Sequence, residues 1–281
     1  MEMEEPLVQA TMTQSVAPPR IPLPQAPKWQ AGGWRPWVLP LLLLALWQTV
    51  VTVGIFERSQ LPAPLDVVSA AREMINRNEL HIHIGASVWR VLQGFVVGSM
   101  VALILGLAVG LSREVESFVA PTLQAIRAVP SLAWVPLLIL WMGIDEEPKI
   151  TLVAIGAFFP VYTNLVAGIR GIDRKLIEVG RAYGLRTIEM IRHILLPAAL
   201  PSLSTGLRIG LAQGWLFLVA AELIAASRGL GFLLIDSQNT GRSDIIVLSI
   251  VLLALLGKTS DWLLQRLERR LLRWQDAFKG N

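Results

Sequence analysis

Five stretches of this chain stay apolar for close to the ~20 residues a helix needs to cross the hydrocarbon core of a bilayer, and this limits the fold more than any other feature. They run from Trp37 to Phe56, Val91 to Leu111, Ile150 to Gly168, Leu203 to Ala226 and Ile245 to Leu264. A sixth stretch is interrupted. Ser131 to Gly143 is too short alone, and extending it back to Phe118 takes in Pro121, Arg127 and Pro130. Proline removes a helical hydrogen bond, and such a break at membrane depth is tolerated only against protein or a cavity. The expectation is an all-α polytopic membrane protein with about six transmembrane helices, at 37–56, 91–111, 118–143, 150–168, 203–226 and 245–264. Only 16% of the residues are charged, against about 25% in a soluble domain, which argues against a single soluble core.

Residues 1–33 differ from the rest, with Pro6, Pro18, Pro19, Pro22, Pro24 and Pro27 among Gln, Thr and Ala. They read as a disordered tail without the basic and apolar regions of a secretory signal. Residues 276–281 read as a short C-terminal tail. The chain has no cysteine, so thiolate metal sites and cysteine nucleophiles are excluded. The net charge of +4 matters only through its placement. Arg170, Arg174, Lys175, Arg181, Arg186 and Arg192 crowd one loop, and Lys258, Arg266, Arg269, Arg270 and Arg273 crowd the chain's end. The alternate loops carry fewer, among them Arg58, Arg72, Arg77, Arg90, Lys149, Arg228 and Arg242. The positive-inside rule then places both termini in the cytoplasm. The cluster from Arg266 to Arg273 reads as an anchor on anionic lipid, not as a nucleic-acid patch. Trp29, Trp34, Trp37, Trp89, Trp262 and Trp274 fall near span ends as headgroup anchors.

Two loops carry structure of their own. Outside, Pro62 and Pro64 precede Asp66, read as an N-cap, with Val67, Ala70, Ala71 and Met74 at helical spacing behind it. Inside, from Arg170 to about Ser202, a helix from Arg174 to Tyr183 closes on Gly184 as a left-handed C-cap. Thr187 then caps a second helix that ends before Pro197. The result is an elbow in which Ile188, Ile191, Leu195 and Leu196 face the bundle and Glu189, Arg192 and His193 face water or a partner.

The elbow resembles a known family. The pattern E-A-A-x3-G-x9-I-x-L-P of the membrane subunits of bacterial ABC importers is met by Glu178, Gly180 in place of the second alanine, Gly184, Ile194, Leu196 and Pro197, with Val179 replacing the first alanine. The stretches Ala86 to Gly94, Ala125 to Gly143, Glu222 to Gly231 and Leu255 to Trp274 are similar to the aliphatic sulfonate, taurine, nitrate and bicarbonate branch, nearest to the sulfonate permeases. The resemblance implies the MetI-like permease fold in a bacterial inner membrane, over residues 34–275. It also implies a homodimer, two cytosolic ATPase subunits that bind the ATP and Mg, and an extracytoplasmic binding protein. It carries Glu178, Gly180, Arg181, Ala182, Tyr183, Gly184, Leu185, Ile194, Leu196 and Pro197 over as the ATPase-coupling set. The implied cargo is a small anion, sulfonate first, with taurine, nitrate, bicarbonate or a pyrimidine-type vitamin precursor as alternatives.

The remaining residues fit that reading. Gly257, Lys258 and Thr259 look like the end of a phosphate-binding loop, but Leu252 stands where its first glycine belongs and an apolar helix precedes it. No cofactor is therefore expected in this chain, and the expected role is transport rather than catalysis. Arg127, Pro130, Trp134, Arg208 and Glu222 are the candidates for the translocation path, Arg208 being placed to snorkel and Glu222 to pair or cap near the outer gate. The Gly229 to Gly231 turn fits a tight re-entrant bend. Gly94 with Gly98 and Gly106 with Gly110 form small-residue pairs suited to close helix packing, within the chain or across a dimer. His81 and His83 lack further ligands at metal-site spacing. An ion-coupled carrier would need midplane carboxylates and inverted repeats, and a membrane enzyme a clustered site.

Overall fold

A computed structural model describes residues 35–272, and every regular element among them is helical. The expected tails at 1–33 and 276–281 lie outside the described residues, as do Trp29, Trp34 and Trp274. The first helix, α1 (Arg35–Thr52), stops before the expected Phe56. It is followed by α2 (Pro64–Asn76), the short amphipathic helix. Asp66 stands at the third position of α2 rather than ahead of it. Its carboxylate reaches back to accept the Ala63 N–H at 3.0 Å, because Pro64 occupies the first turn, where a missing N–H costs nothing.

Asn78 then takes the left-handed conformation at φ 57°. The Glu79 N–H closes on the Met74 carbonyl at 3.0 Å, and α3 (Leu80–Leu111) starts at once. This helix begins well before Val91, since nothing from Leu80 onward breaks it. Arg90, assigned to a loop by its charge, is therefore a helical and buried residue.

The interrupted stretch is α4 (Arg113–Ala128), a 3-10 turn at Ser131–Ala133 and α5 (Trp134–Met142). Val129, held extended at ψ 125° ahead of Pro130, separates them. Next come α6 (Glu146–Arg170), α7 (Arg174–Ala182), the single turn α8 (Thr187–Met190), α9 (Leu196–Ala225), α10 (Leu230–Asn239) and α11 (Ser243–Leu271). Among the described residues four helices are long and apolar enough to cross a membrane: Leu80–Leu111, Glu146–Arg170, Thr187–Ile224 and Ser243–Leu271. Trp37–Thr52 is a shorter apolar helix.

The bundle is organised around α6, which packs between α3 and α9. The glycines of α3 face it. A Cβ on Gly98 would lie 2.2 Å from the Ala154 carbonyl oxygen, and one on Gly94 2.5 Å from Val153. Gly106 and Gly110 meet Leu165 and Ile169 in the same way. The small-residue pairs thus serve packing within the chain. On the opposite side Gly206 and Gly210 bring α9 against α6, and Gly156 receives the ring of Phe217. Val67, Ala70 and Met74 of α2 bury against Leu230, Leu233 and Leu248, so one face of α2 roofs α10 and α11 at the end of the bundle away from the elbow. Trp37, Trp89 and Trp262 project outward from the bundle, at 65%, 62% and 49% exposure. Arg266 stacks over Trp262 with its guanidinium 5.3 Å from the ring.

Candidate functional site

The elbow starts where Asp173 caps α7, its carboxylate accepting the Lys175 N–H at 3.0 Å. The helix closes in a Schellman turn: Gly184 N–H bonds the Arg181 carbonyl at 2.9 Å and Leu185 N–H the Gly180 carbonyl at 3.1 Å. Gly184 has φ +72°, a conformation that penalises any residue with a Cβ. The sequence expectation of a helix closed by this glycine holds.

Three details of the second arm differ from expectation. Thr187 is the first residue of α8 and does not cap it; Glu189 does, accepting the Arg186 N–H at 2.8 Å. The helix does not end before Pro197. A wide π turn over Ile191–Leu195 carries it directly into α9, with Leu196 N–H bonded to the Ile191 carbonyl. Pro197 has no N–H for the preceding turn, and widening that turn absorbs the loss. Ile188 faces outward at 79% exposure, and Met190 takes the buried place.

The motif spacing has a physical meaning here. Gly180 is buried, and a Cβ on it would lie 2.6 Å from Ile194 Cδ1 and from Met190 Sδ. The small second position and the distant isoleucine are therefore the two halves of one contact that folds the arms together. Glu178, Arg181, Ala182, Tyr183 and Gly184 remain exposed, Leu185 is half-buried, and Leu196 and Pro197 root the elbow in α9. Val179, Tyr183 and Ile188 present an apolar face away from the bundle, with Tyr183 83% exposed. A cavity of about 400 Å³, lined by Leu111, Ile169, Arg181 and Leu185, separates the elbow from the helix ends.

At the other end of the bundle lies a polar cluster that sequence reasoning only half found. Glu222 pairs, as expected, and its partner is Arg90, Nη1 to Oε1 at 2.7 Å. Arg90 also grips Glu146 with Nε and Nη2, at 2.5 and 2.7 Å, and donates to the Arg228 carbonyl at 2.6 Å. The capping role holds too. Glu222 accepts the Gly231 N–H at 2.8 Å, and Ser87 Oγ accepts the Leu230 N–H at 2.9 Å. Gly229 N–H donates to His83 Nδ1 at 3.1 Å. Three successive amides at the start of α10 are thus satisfied by side chains of α3 and α9, as a buried helix end requires. Gly229, at φ +129°, leaves no room for a Cβ, which would sit 2.3 Å from the Glu222 carboxylate. His83 stacks on Phe232, so half of the His-x-His pair is structural. No group of residues suited to holding a metal occurs among the described residues.

The five path candidates do not converge. Arg127 and Trp134 line neighbouring cavities of about 430 and 390 Å³ that share Ile155 and Phe159. Pro130 marks the break between α4 and α5. Arg208 has a partner the sequence did not suggest: its Nε pairs with Asp261 Oδ1 of α11 at 3.0 Å, a carboxylate hidden inside an apolar run. Glu222 lies in the buried cluster. Missed entirely were Thr163, Asn164 and Gln213, which line the larger cavity with Arg127. Their only signal in the sequence was polarity within spans.

Fold and site define a helical membrane protein with an exposed elbow between two of its long apolar helices. A profile described as "Binding-protein-dependent transport system inner membrane component" matches residues 94–273, and the chain belongs to that family. It is 46% identical to the SsuC protein of Escherichia coli (strain K12), an aliphatic sulfonates transport permease by name, over 86% of this chain and 92% of that one. The Bacillus subtilis (strain 168) protein of the same name is 39% identical over 88% and 90%. Among solved structures, an inward-facing conformation of the MetNI methionine ABC transporter shares the fold, with a TM-score of 0.55 at 24% identity, covering 66% of this chain and 94% of that one.

Proposed function

We propose that this chain is the transmembrane permease subunit of an ATP-binding-cassette importer for aliphatic sulfonates. It works as a homodimer in the bacterial inner membrane with both termini in the cytoplasm. Two cytosolic ATPase subunits bind and hydrolyse ATP with Mg, and an extracytoplasmic binding protein delivers the cargo. The coupling set runs from Glu178 to Pro197 and transmits ATPase motion to α9 through the Gly180 contact with Ile194.

The observation that carries this reading is the elbow itself. It is a stiff, capped turn rooted directly in a long apolar helix, and it exposes Val179, Tyr183 and Ile188 where a monomer would hide them. Exposed apolar residues rimmed by charge mark a protein-docking surface. The likeness to the SsuC proteins, extending over most of both chains, supports sulfonate as the cargo. The test is uptake of labelled alkanesulfonate by cells lacking their own sulfonate permease, with this chain supplied alone or together with its ATPase and binding protein. Uptake only in the complete set is expected.

A further inference from the structure

The cavity between the middles of α6 and α9 combines one cation, neutral polar groups and apolar side chains. Arg127 of α4 is the cation on its wall, and no carboxylate lines it. Arg127 is exposed and forms no ion pair among the described residues, and it also borders a neighbouring cavity that Glu116 and Arg170 line. The other polar groups are neutral. Asn164 spends one amide hydrogen on the Pro160 carbonyl at 2.8 Å and has a second to offer. Thr163 donates to the Phe159 carbonyl at 2.9 Å. Gln213, half-buried, makes no side-chain hydrogen bond among the described residues, so its amide is free to donate. One to two turns further along the same two helices stand Ile155, Phe159 and Phe217.

A guanidinium with two amide donors matches a tetrahedral oxyanion, for which charge-assisted hydrogen bonds are strongest. The rings and the isoleucine match a short hydrocarbon chain, which a small inorganic anion lacks. We infer that this cavity is a transit site for alkanesulfonates, with the sulfonate on Arg127, Gln213 and Asn164 and the alkyl chain against Phe159 and Phe217. The assignment rests on the importer reading and deepens it.

The experiment uses the assembled importer in proteoliposomes with saturating binding protein, and compares import of labelled methanesulfonate and hexanesulfonate. Arg127→Gln is expected to lower import of both at least tenfold, Arg127→Lys less than threefold and Gln213→Leu about fivefold. Phe217→Ala is expected to lower hexanesulfonate import at least fivefold more than methanesulfonate import. Should Arg127→Gln fail to co-purify with the ATPase subunits, Gln213→Leu decides. Import within twofold of wild type in every head-group variant that assembles would overturn the site while leaving the importer reading intact. Equal loss of both sulfonates in Phe217→Ala would overturn the chain-length assignment. A wild-type importer that moves neither sulfonate would overturn the cargo reading, and the site with it.

Discussion

Arg90 Nη1 lies 2.7 Å from Glu222 Oε1, and neither side chain is more than 1% exposed. With Glu146 and Ser87 the pair ties α3, α6, α9 and the start of α10 into one body at the end of the bundle opposite the elbow. Removing one partner of such a pair leaves an uncompensated buried charge, which costs about 3–5 kcal/mol. Arg90→Met and Glu222→Leu are each expected to lose about that much, and the double substitution clearly less than their sum. Thermal melting of the purified protein across this double-mutant cycle measures the coupling.

Gly184 tests the elbow's shape. Gly184→Pro is expected to abolish association with the ATPase subunits, because proline cannot adopt φ +72° and removes the N–H that bonds Arg181. Glu178→Lys is expected to give the same defect by reversing an exposed charge, with membrane insertion intact in both. Co-purification of the ATPase with the variant permease is the measurement, and unchanged association in either would contradict the assignment.

The glycine stripe of α3 makes a contrast within one helix. Gly98→Val would force a side chain into the Ala154 carbonyl, whereas a Cβ on Gly85 meets nothing within 4 Å. The first substitution is expected to lower the melting temperature sharply, as overpacking costs about 1–3 kcal/mol or more. Gly85→Ala should leave it unchanged or slightly raised.

Arg208 joins α9 to Asp261 of α11 at a site more than a third exposed. Such a pair is worth little, about 0–1 kcal/mol. Arg208→Gln is expected to shift melting by no more than a few degrees and to leave sulfonate import within twofold of wild type, which separates it from Arg127. A tenfold loss of import would place Arg208 on the path instead.

Glu73 of α2 is held below the ordinary carboxylate value of 4.5, chiefly by its hydrogen bond from Arg242. A depressed folded value means that the contact stabilises above the unfolded carboxylate value and fades as pH falls through the folded one. Wild type should therefore melt above Glu73→Gln at pH 7. The gap should close under strongly acid conditions and shrink in high salt. A gap independent of pH would contradict the pairing.

What could be read in the residues and what could not divide along physical lines. The apolar runs, the break at Pro130 and the Gly184 cap are local: each depends on composition or on one residue's backbone preference. α3 and α9 start earlier than the apolar runs do, because hydropathy reports where lipid begins, while a helix runs on until its hydrogen bonds fail. Pro197 looked like such a failure, but a π turn absorbed it. Arg90 reads as a loop charge, since nothing in one sequence tells a charge facing water from one facing Glu222 across 132 positions. The cavity around Arg127 was invisible for the same reason. Thr163, Asn164 and Gln213 come together only when α6 and α9 pack.

In the proposed function energy is supplied in trans through the elbow. The most direct test is import of labelled alkanesulfonate into proteoliposomes holding this chain, with and without the separate ATPase subunits, in the presence of loaded binding protein and ATP on the ATPase side. Import is expected only when the ATPase is present, and is expected to be lost in Gly184→Pro. Import by this chain alone, driven by a proton or sodium gradient, would contradict the proposed function.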